Sequence, residues 1–507
     1  MKKGIATLKR ALGGLAAAAV FGLLPAADAA AATVPLHDNF YWIGQINKAS
    51  MVINSSEGLL TKDEAAKFAR GLEKVLAGAE EKGAKRPASV IAFEPLLIEA
   101  AGIEVTKVHV GRSSQDMLAA CRESRLRERM LNLADALNSM SATLIKLAEE
   151  QRNTVVPNYT NGVAAQPNSY GHYLLAYADC FARDSQRLHQ YYARLNQSPV
   201  GTTVLNGTSW PLNRKRMADY LGYDDIRYNA YDAVQGYAFE RAVEAGSVVT
   251  TVALHVGSFI EELSQQYAQP RPWIILQEGG ANTYVSSAMP QKRNPGILMN
   301  TRSLASTILG NATGTVFRAH NLPPGMRDVS DEETYQMVER AEKMVRSFEK
   351  ILKALRINPD RSKEELNLDW TASQEVADVL MREHGIPFRL GHHFASEMVG
   401  YARANGLTPL TFPYAEAKRI YSEAVTGYPN APKELPLSEQ AFRSALDPVA
   451  IVKARATKGG PQDSEMNIMF DRAKKQLAAD EKWQAAQAAK FASAESKLNS
   501  DFAKLTK

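Results

Sequence analysis

The sequence predicts an all-α protein built around a central bundle of long helices, and three observations carry that reading. From Arg112 to Val156 the chain has neither proline nor glycine. Within that run Leu126, Met130, Leu133, Leu137, Met140, Leu144 and Leu147 alternate spacings of four and three, the seam of a long helix packed nearly parallel to its neighbours. Between residues 224 and 269 proline is again absent, and the apolar side chains of "AVEAGSVVTTVALHVGSFI" fall on several faces. A helix apolar nearly all round is a buried one.

The remaining elements follow in order. The first 32 residues place Lys2, Lys3, Lys9 and Arg10 before an Ala/Leu/Val-rich run and then small residues, the pattern of a secretory signal peptide, with "ADA" at 27–29 as a cleavage site. The apolar run is short for a membrane span and no stop-transfer pattern follows, so the expectation is an exported, soluble, periplasmic protein; an uncleaved anchor is the alternative. A smaller helical region is expected at 33–111 and the bundle at 112–370. Its helices should run from about 170 to 197, stopped by Pro199, from 224 to 269, and from 296 to 320. A C-terminal helical domain, 371–477, is broken by "HGIPFRLGHH" and "YPNAPKELPLSE", and an Ala/Lys-rich tail, 478–507, forms either an exposed helix or disorder. A chain of 507 residues exceeds one ordinary core, which agrees with several domains.

Composition narrows the function. With 45% hydrophobic and 23% charged residues the chain is a folded one. The net charge of +5 falls to +2 once the signal segment is removed, and no basic stripe remains, which argues against a nucleic-acid partner. Cys121 and Cys180 are the only cysteines and neither lies in a CxxC pair, so a disulfide framework is excluded and one optional bridge stays open. The histidines are scattered, His392 and His393 are adjacent instead of one helical turn apart, and no phosphate loop or dinucleotide fingerprint occurs. Neither a metal nor a cofactor is implied.

One loop is chemically dense. "SSAMPQKRNP" (286–295) gathers Ser286, Ser287, Lys292 and Asn294 between a Gly-rich stretch and a long apolar one. Removing a proton beside a carboxylate needs a base and something to hold the doubled negative charge that forms. A serine serves if a loop closes, excludes water and surrounds the oxyanion with cations and amide donors. Gly279 and Gly280 precede the loop and could let it move.

This loop resembles the "GSSxMPxKxNP" signature of the fumarase/aspartase superfamily. "VHVGRSSQDM" (108–117) and "YTNGVAAQPNSYGHYLLAYADCFARDSQRL" (159–188) resemble that superfamily's first and second blocks, in the same order. Within it the chain is most similar to argininosuccinate lyase, through "NQSPVGTTVLNGTSWPLNRKRMADYLGY" (196–223), "GIPFRLGHHFASEMVGYARANG" (385–406) and "LDPVAIVKARATKGGPQDSEM" (446–466). The resemblance spans roughly residues 38–470. It implies a three-domain helical subunit, a homotetramer whose active sites take one block from each of three subunits, and elimination across a C–N bond with release of fumarate. It further implies Ser286 as base, Lys292 and Asn294 as holders of the aci-carboxylate, and Arg112, Ser113, Ser114, Gln115, Asp116, Thr160, Asn161, Gln166 and Ser287 as substrate contacts; for Asp116 and Gln166, capping or packing at helix starts is an equal reading, and for His172 scaffolding is the stronger one.

The chain departs from the family at telling places. The second block's Thr-His is Thr160-Asn161, and asparagine cannot shuttle a proton near neutrality. The glutamate that pairs with that histidine is Met299, and Gln115 and Val285 replace an asparagine and a glycine. "LPPGMRDVSDEE" stands where the family has "LAYNKDxQEDKE", without the tyrosine and glutamine that help hold the arginine-bearing end of argininosuccinate. The expectation is an exported C–N lyase that releases fumarate from an N-succinyl-type amino acid, an aminopolycarboxylate or argininosuccinate itself. The alternative is a non-catalytic binding protein on a lyase scaffold.

Overall fold

The proline-free run becomes a helix of 37 residues, α4 (Ser114–Glu150), the spine of the molecule. Ser113 caps its start in a reciprocal box with Asp116, satisfying amide groups that the first helical turn leaves without partners. The seam residues Leu126, Met130, Leu133, Leu137, Met140 and Leu144 are fully buried, and Leu147 is partly so. The structure, a computed structural model, describes residues 33–325 and 331–507; the stretch expected to be a signal peptide lies outside them.

Before the spine come α1 (Asn39–Ser56), α2 (Lys62–Gly78) and α3 (Val90–Ala101). After it a β-hairpin, β1 (Val155–Thr160) and β2 (Val163–Ser169), leads into α5 (Tyr170–Leu195). The bundle is completed by α7 (Tyr237–Gln266), α8 (Gly296–Ala319) and α9 (Asp331–Ala354). Helix α4 packs on α5 and α9, and α7 packs on α5, α8 and α9, around one continuous apolar core. Between α5 and α7 lies α6 (Arg214–Tyr220). Short two-stranded pairings join loops: β3 (Gln197–Ser198) with β4 (Asp225–Ile226), β5 (Ile274–Leu276) with β8 (Leu355–Ile357), and β6 (Tyr284–Val285) with β7 (Arg293–Asn294).

The third bundle helix starts later than its composition suggested. Residues 224–229 are held out of the helix because Arg227 N–H bonds the Ser198 carbonyl while the Arg214 guanidinium binds the carbonyls of Arg227 and Tyr228. Tertiary hydrogen bonds thus override local propensity, and α7 is entered through a π-turn at Asp232–Gly236. This helix is also long and apolar enough to cross a membrane, but half of that stretch is buried inside the chain.

Two further cores flank the bundle. One joins α1–α3 to α6. The other comprises α11 (Ser373–His384), α12 (Phe388–Ala404), α13 (Tyr414–Ala424) and α14 (Glu439–Ala445). Helix α10 (Pro359–Leu368) and α15 (Pro448–Ala454) bracket that core and meet β1. The tail is an ordered helix: α16 (Asp463–Ala503) runs unbroken through the boundary drawn at 477–478. Its start buries Met466 and Phe470 in the bundle core, and its end buries Leu498 and Phe502 among α1–α3. Apolar anchors at both ends, on a helix about 60 Å long, explain why the Ala/Lys-rich composition neither frays nor floats.

Candidate active site

The first block lies at the start of α4, and two of its residues face away from solvent. The Arg112 guanidinium is buried, donating to Ser50 Oγ at 2.6 Å and Asn47 Oδ1 at 3.2 Å on α1, and burial pulls its pKa down to about 10. Asp116 is fully buried. One carboxylate oxygen accepts the Ser113 N–H at 2.9 Å, and the other accepts the N–H groups of Gly201, Thr202 and Thr203 at 3.0–3.1 Å. Within this chain the hydrogen bonds of both residues run to the protein, where they fix the block to α1 and to the 201–203 loop. Ser113 is the helix cap, its Oγ accepting the Gln115 N–H; Ser114 is half-buried and Gln115 exposed.

The second block is the β1–β2 hairpin. Its turn is Asn161-Gly162, both at positive φ (54° and 77°), the conformation a two-residue hairpin turn requires and Asn-Gly supplies at low cost. Asn161 has this conformational reason to stand at its position, and "NG" between two strand-compatible runs is the signal by which the hairpin was legible but missed. Thr160 and Asn161 are exposed at the tip, and Gln166 on β2 donates to Gln374 of α11 at 2.7 Å. His172 bridges Asn168 and the Gly459 carbonyl, a scaffolding role. Sequence reasoning also missed what anchors the hairpin: the Tyr159 phenol donates to Glu365 and accepts from Gln266 at 3.0 Å and Trp273 at 2.9 Å.

The third block is a second hairpin. Pairing of Tyr284 with Asn294 and of Val285 with Arg293 closes the loop that holds Ser286, Ser287 and Lys292. Val285 therefore occupies a strand position, for which a β-branched residue is suited. Half-buried Ser286 accepts the N–H groups of Ala288 at 3.3 Å and Met289 at 3.1 Å on its own Oγ. Amide donors aimed at a hydroxyl oxygen favour its deprotonated form. Asn294 Nδ2 donates to the Tyr284 carbonyl at 3.4 Å, and Arg293 braces the loop through Glu278 and the Pro290 carbonyl. Ser287 and Lys292 are exposed. Ser286, Lys292 and Asn294 thus share one small hairpin.

Geometry separates the blocks along the subunit. The first and second lie at opposite ends of α4, about 55 Å apart at 1.5 Å per residue. The third lies between α7, whose Gln266 bonds Tyr159, and α8. A single chain therefore cannot bring all three together. Among the described residues no group of three or more His, Cys, Asp or Glu is placed to hold a metal ion, and Cys121 and Cys180 are both free.

A family model described as lyase matches residues 42–310, more than half of the chain, and one described as argininosuccinate lyase C-terminal matches 370–453. The argininosuccinate lyase of Methanosarcina mazei is 30% identical over 85% of this chain and 86% of its own. The chain belongs to the argininosuccinate lyase family. It is a carbon–nitrogen lyase of the fumarase/aspartase superfamily. A crystal structure of EDDS lyase in complex with formate superposes on this lyase with a TM-score of 0.83, at 25% identity and 92% coverage of both chains. An EDDS lyase variant with bound fumarate gives 0.82 at the same identity and coverage.

Proposed function

We propose that this lyase cleaves N-substituted aspartates, of the N-succinyl amino acid or aminopolycarboxylate type, to fumarate and an amine, with argininosuccinate as the less favoured substrate. The observation that carries the reading is the third-block hairpin, where Ser286 Oγ receives two amide N–H groups beside Lys292 and Asn294. Ser286 takes the proton from the carbon next to the succinyl carboxylate. Lys292, Asn294 and loop amides hold the resulting aci-carboxylate. Its electron pair then forms the C=C bond as the C–N bond breaks, and the amine leaves with a proton from water. The hydroxide so formed takes the abstracted proton back from Ser286 and restores the base. Water in that role is consistent with Asn161 and Met299 at the positions of the family's histidine and glutamate. Relatives named argininosuccinate lyase and a structural neighbour named EDDS lyase support a C–N lyase that releases fumarate.

In this reading Ser113, Ser114, Gln115, Thr160, Asn161, Gln166 and Ser287 contact the diacid, and the working form is an exported homotetramer with shared sites. Two features support sharing: the separation of the blocks along α4, and solvent-facing apolar side chains on α7 and α8 (Leu254, Met299, Val316 and Phe317, 47% or more exposed) that need a neighbour. The test is the reverse reaction. Purified protein is incubated with fumarate and a panel of amines, and adducts are weighed by mass spectrometry. Adducts with amino acids or diamines are expected; addition to arginine alone would reject the substrate class.

A further inference from the structure

Beside the base of the second-block hairpin, at the end of α7, lies a small cavity with room for a single water-sized group, about 20 Å³. Its walls are aromatic, from Tyr159, Tyr170, Tyr173, Phe259 and Trp273, with Glu262 and Gln266 as polar lining. The rings pack on one another, Tyr170 edge-on to Trp273 and stacked with Tyr173, both at 5.5 Å between centroids.

The hydrogen-bond accounting of these walls is one-sided. Tyr173 donates its hydroxyl to Glu262 at 2.9 Å, Trp273 donates its indole N–H to the Tyr159 oxygen, and Tyr159 donates to Glu365. Gln266 spends its amide N–H on Tyr159, while its carbonyl oxygen is buried without a partner. Among the described residues no cation pairs with Glu262, and burial pushes its pKa up against the pull of Tyr173. What these residues still offer is a carboxylate, an orphaned amide oxygen, the Tyr170 hydroxyl oxygen and the negative faces of rings. Each of them attracts a positively charged N–H donor.

We propose that this cavity is a binding site for one primary ammonium group, held by Glu262 and the Gln266 carbonyl oxygen against the ring faces. Filling it gives the Glu262 carboxylate a counter-charge, satisfies Gln266 and ties the Tyr159 strand, whose next residue is Thr160, more firmly to α7. The assignment uses none of the elimination groups and stands independently of the substrate reading.

Direct binding tests it. The full chain is titrated with ammonium chloride and with n-butylammonium chloride at constant ionic strength, following tryptophan fluorescence, with sodium and tetramethylammonium as controls. A saturable change with the two N–H cations is expected, absent with the controls and lost in Trp273→Phe, which assigns the signal. Glu262→Gln should weaken the response at least tenfold; if that variant does not fold, Gln266→Met, which removes the free oxygen at similar volume, reads the same loss. Tighter binding of butylammonium makes the site the seat of a chain terminus, and tighter binding of ammonium makes it an ion site; both uphold the ammonium assignment. A response equal for sodium and tetramethylammonium, or one unchanged in the folded variant, overturns it.

Discussion

Asp116 holds four backbone N–H groups on one carboxylate, and asparagine in its place would turn an amide NH2 toward some of them. Charge-assisted bonds of this kind contribute about 1.5–3 kcal/mol each in favourable cases. Asp116→Asn should therefore lower unfolding stability in urea by about 2–4 kcal/mol, while turnover per folded enzyme at saturating substrate stays within about twofold; a large loss of turnover with normal stability would return Asp116 to the substrate. Asn161→Ala places a Cβ-bearing residue at φ 54° and should cost about 1 kcal/mol in the same assay, with Asn161→Gly nearly neutral. At this scale the sequence placed Ser286, Lys292 and Asn294 on one loop, because nine residues of chain contain all three. Capping by Asp116 was one of two readings open in the sequence, but its partners at residues 201–203 and those of Arg112 at Asn47 and Ser50 were not legible, because they lie far along the chain and meet these residues only through the fold.

Among the elements, α4 was readable from its heptad seam, and α5 and α8 from proline and apolar punctuation. Helix α16 was not, since its anchors are few and widely spaced: its exposed faces carry Ala and Lys, and only the ends and one middle turn are buried. That middle turn is a titratable joint. His189 on α5 stacks on Trp483 at 3.8 Å and lies 3.8 Å from Asp480. Burial pulls the His189 pKa down to about 4 and pushes that of Asp480 up to about 6. The unfolded chain binds a proton on His189 below about pH 6.5 and the folded chain only near 4, so acidification through that window favours unfolding. Asp480 acts in the opposite sense: the stability linked to its folded-state proton is present at low pH and lost as pH rises through about 6. His189→Gln removes only the first effect. Urea unfolding at pH 7 and pH 4.5 should show the variant gaining on the wild type, on acidification, by up to about 3 kcal/mol. Parallel pH profiles would place the histidine outside the linkage.

For the whole molecule, two family blocks at opposite ends of a helix about 55 Å long, with the third between α7 and α8, have one economical use, a site completed by neighbouring subunits. Mixing two inactive variants tests this, because Ser286→Ala and Thr160→Val each damage a different block. If subunits share sites, co-refolded mixtures should recover up to about a quarter of wild-type turnover as intact sites form at random; no recovery would confine each site to one chain. The all-helical class and the lyase family were both legible before any coordinates, whereas the separation of the blocks and the buried ammonium cavity depend on packing that no single motif encodes. The central claim is that Ser286 begins an elimination that ends in fumarate. Its most direct measurement is the ultraviolet absorbance of fumarate released from an N-substituted aspartate by wild type and by Ser286→Ala, matched for folding and oligomeric state. The account predicts steady release by the wild type and at least a thousandfold loss in the variant, and equal release by both would contradict it.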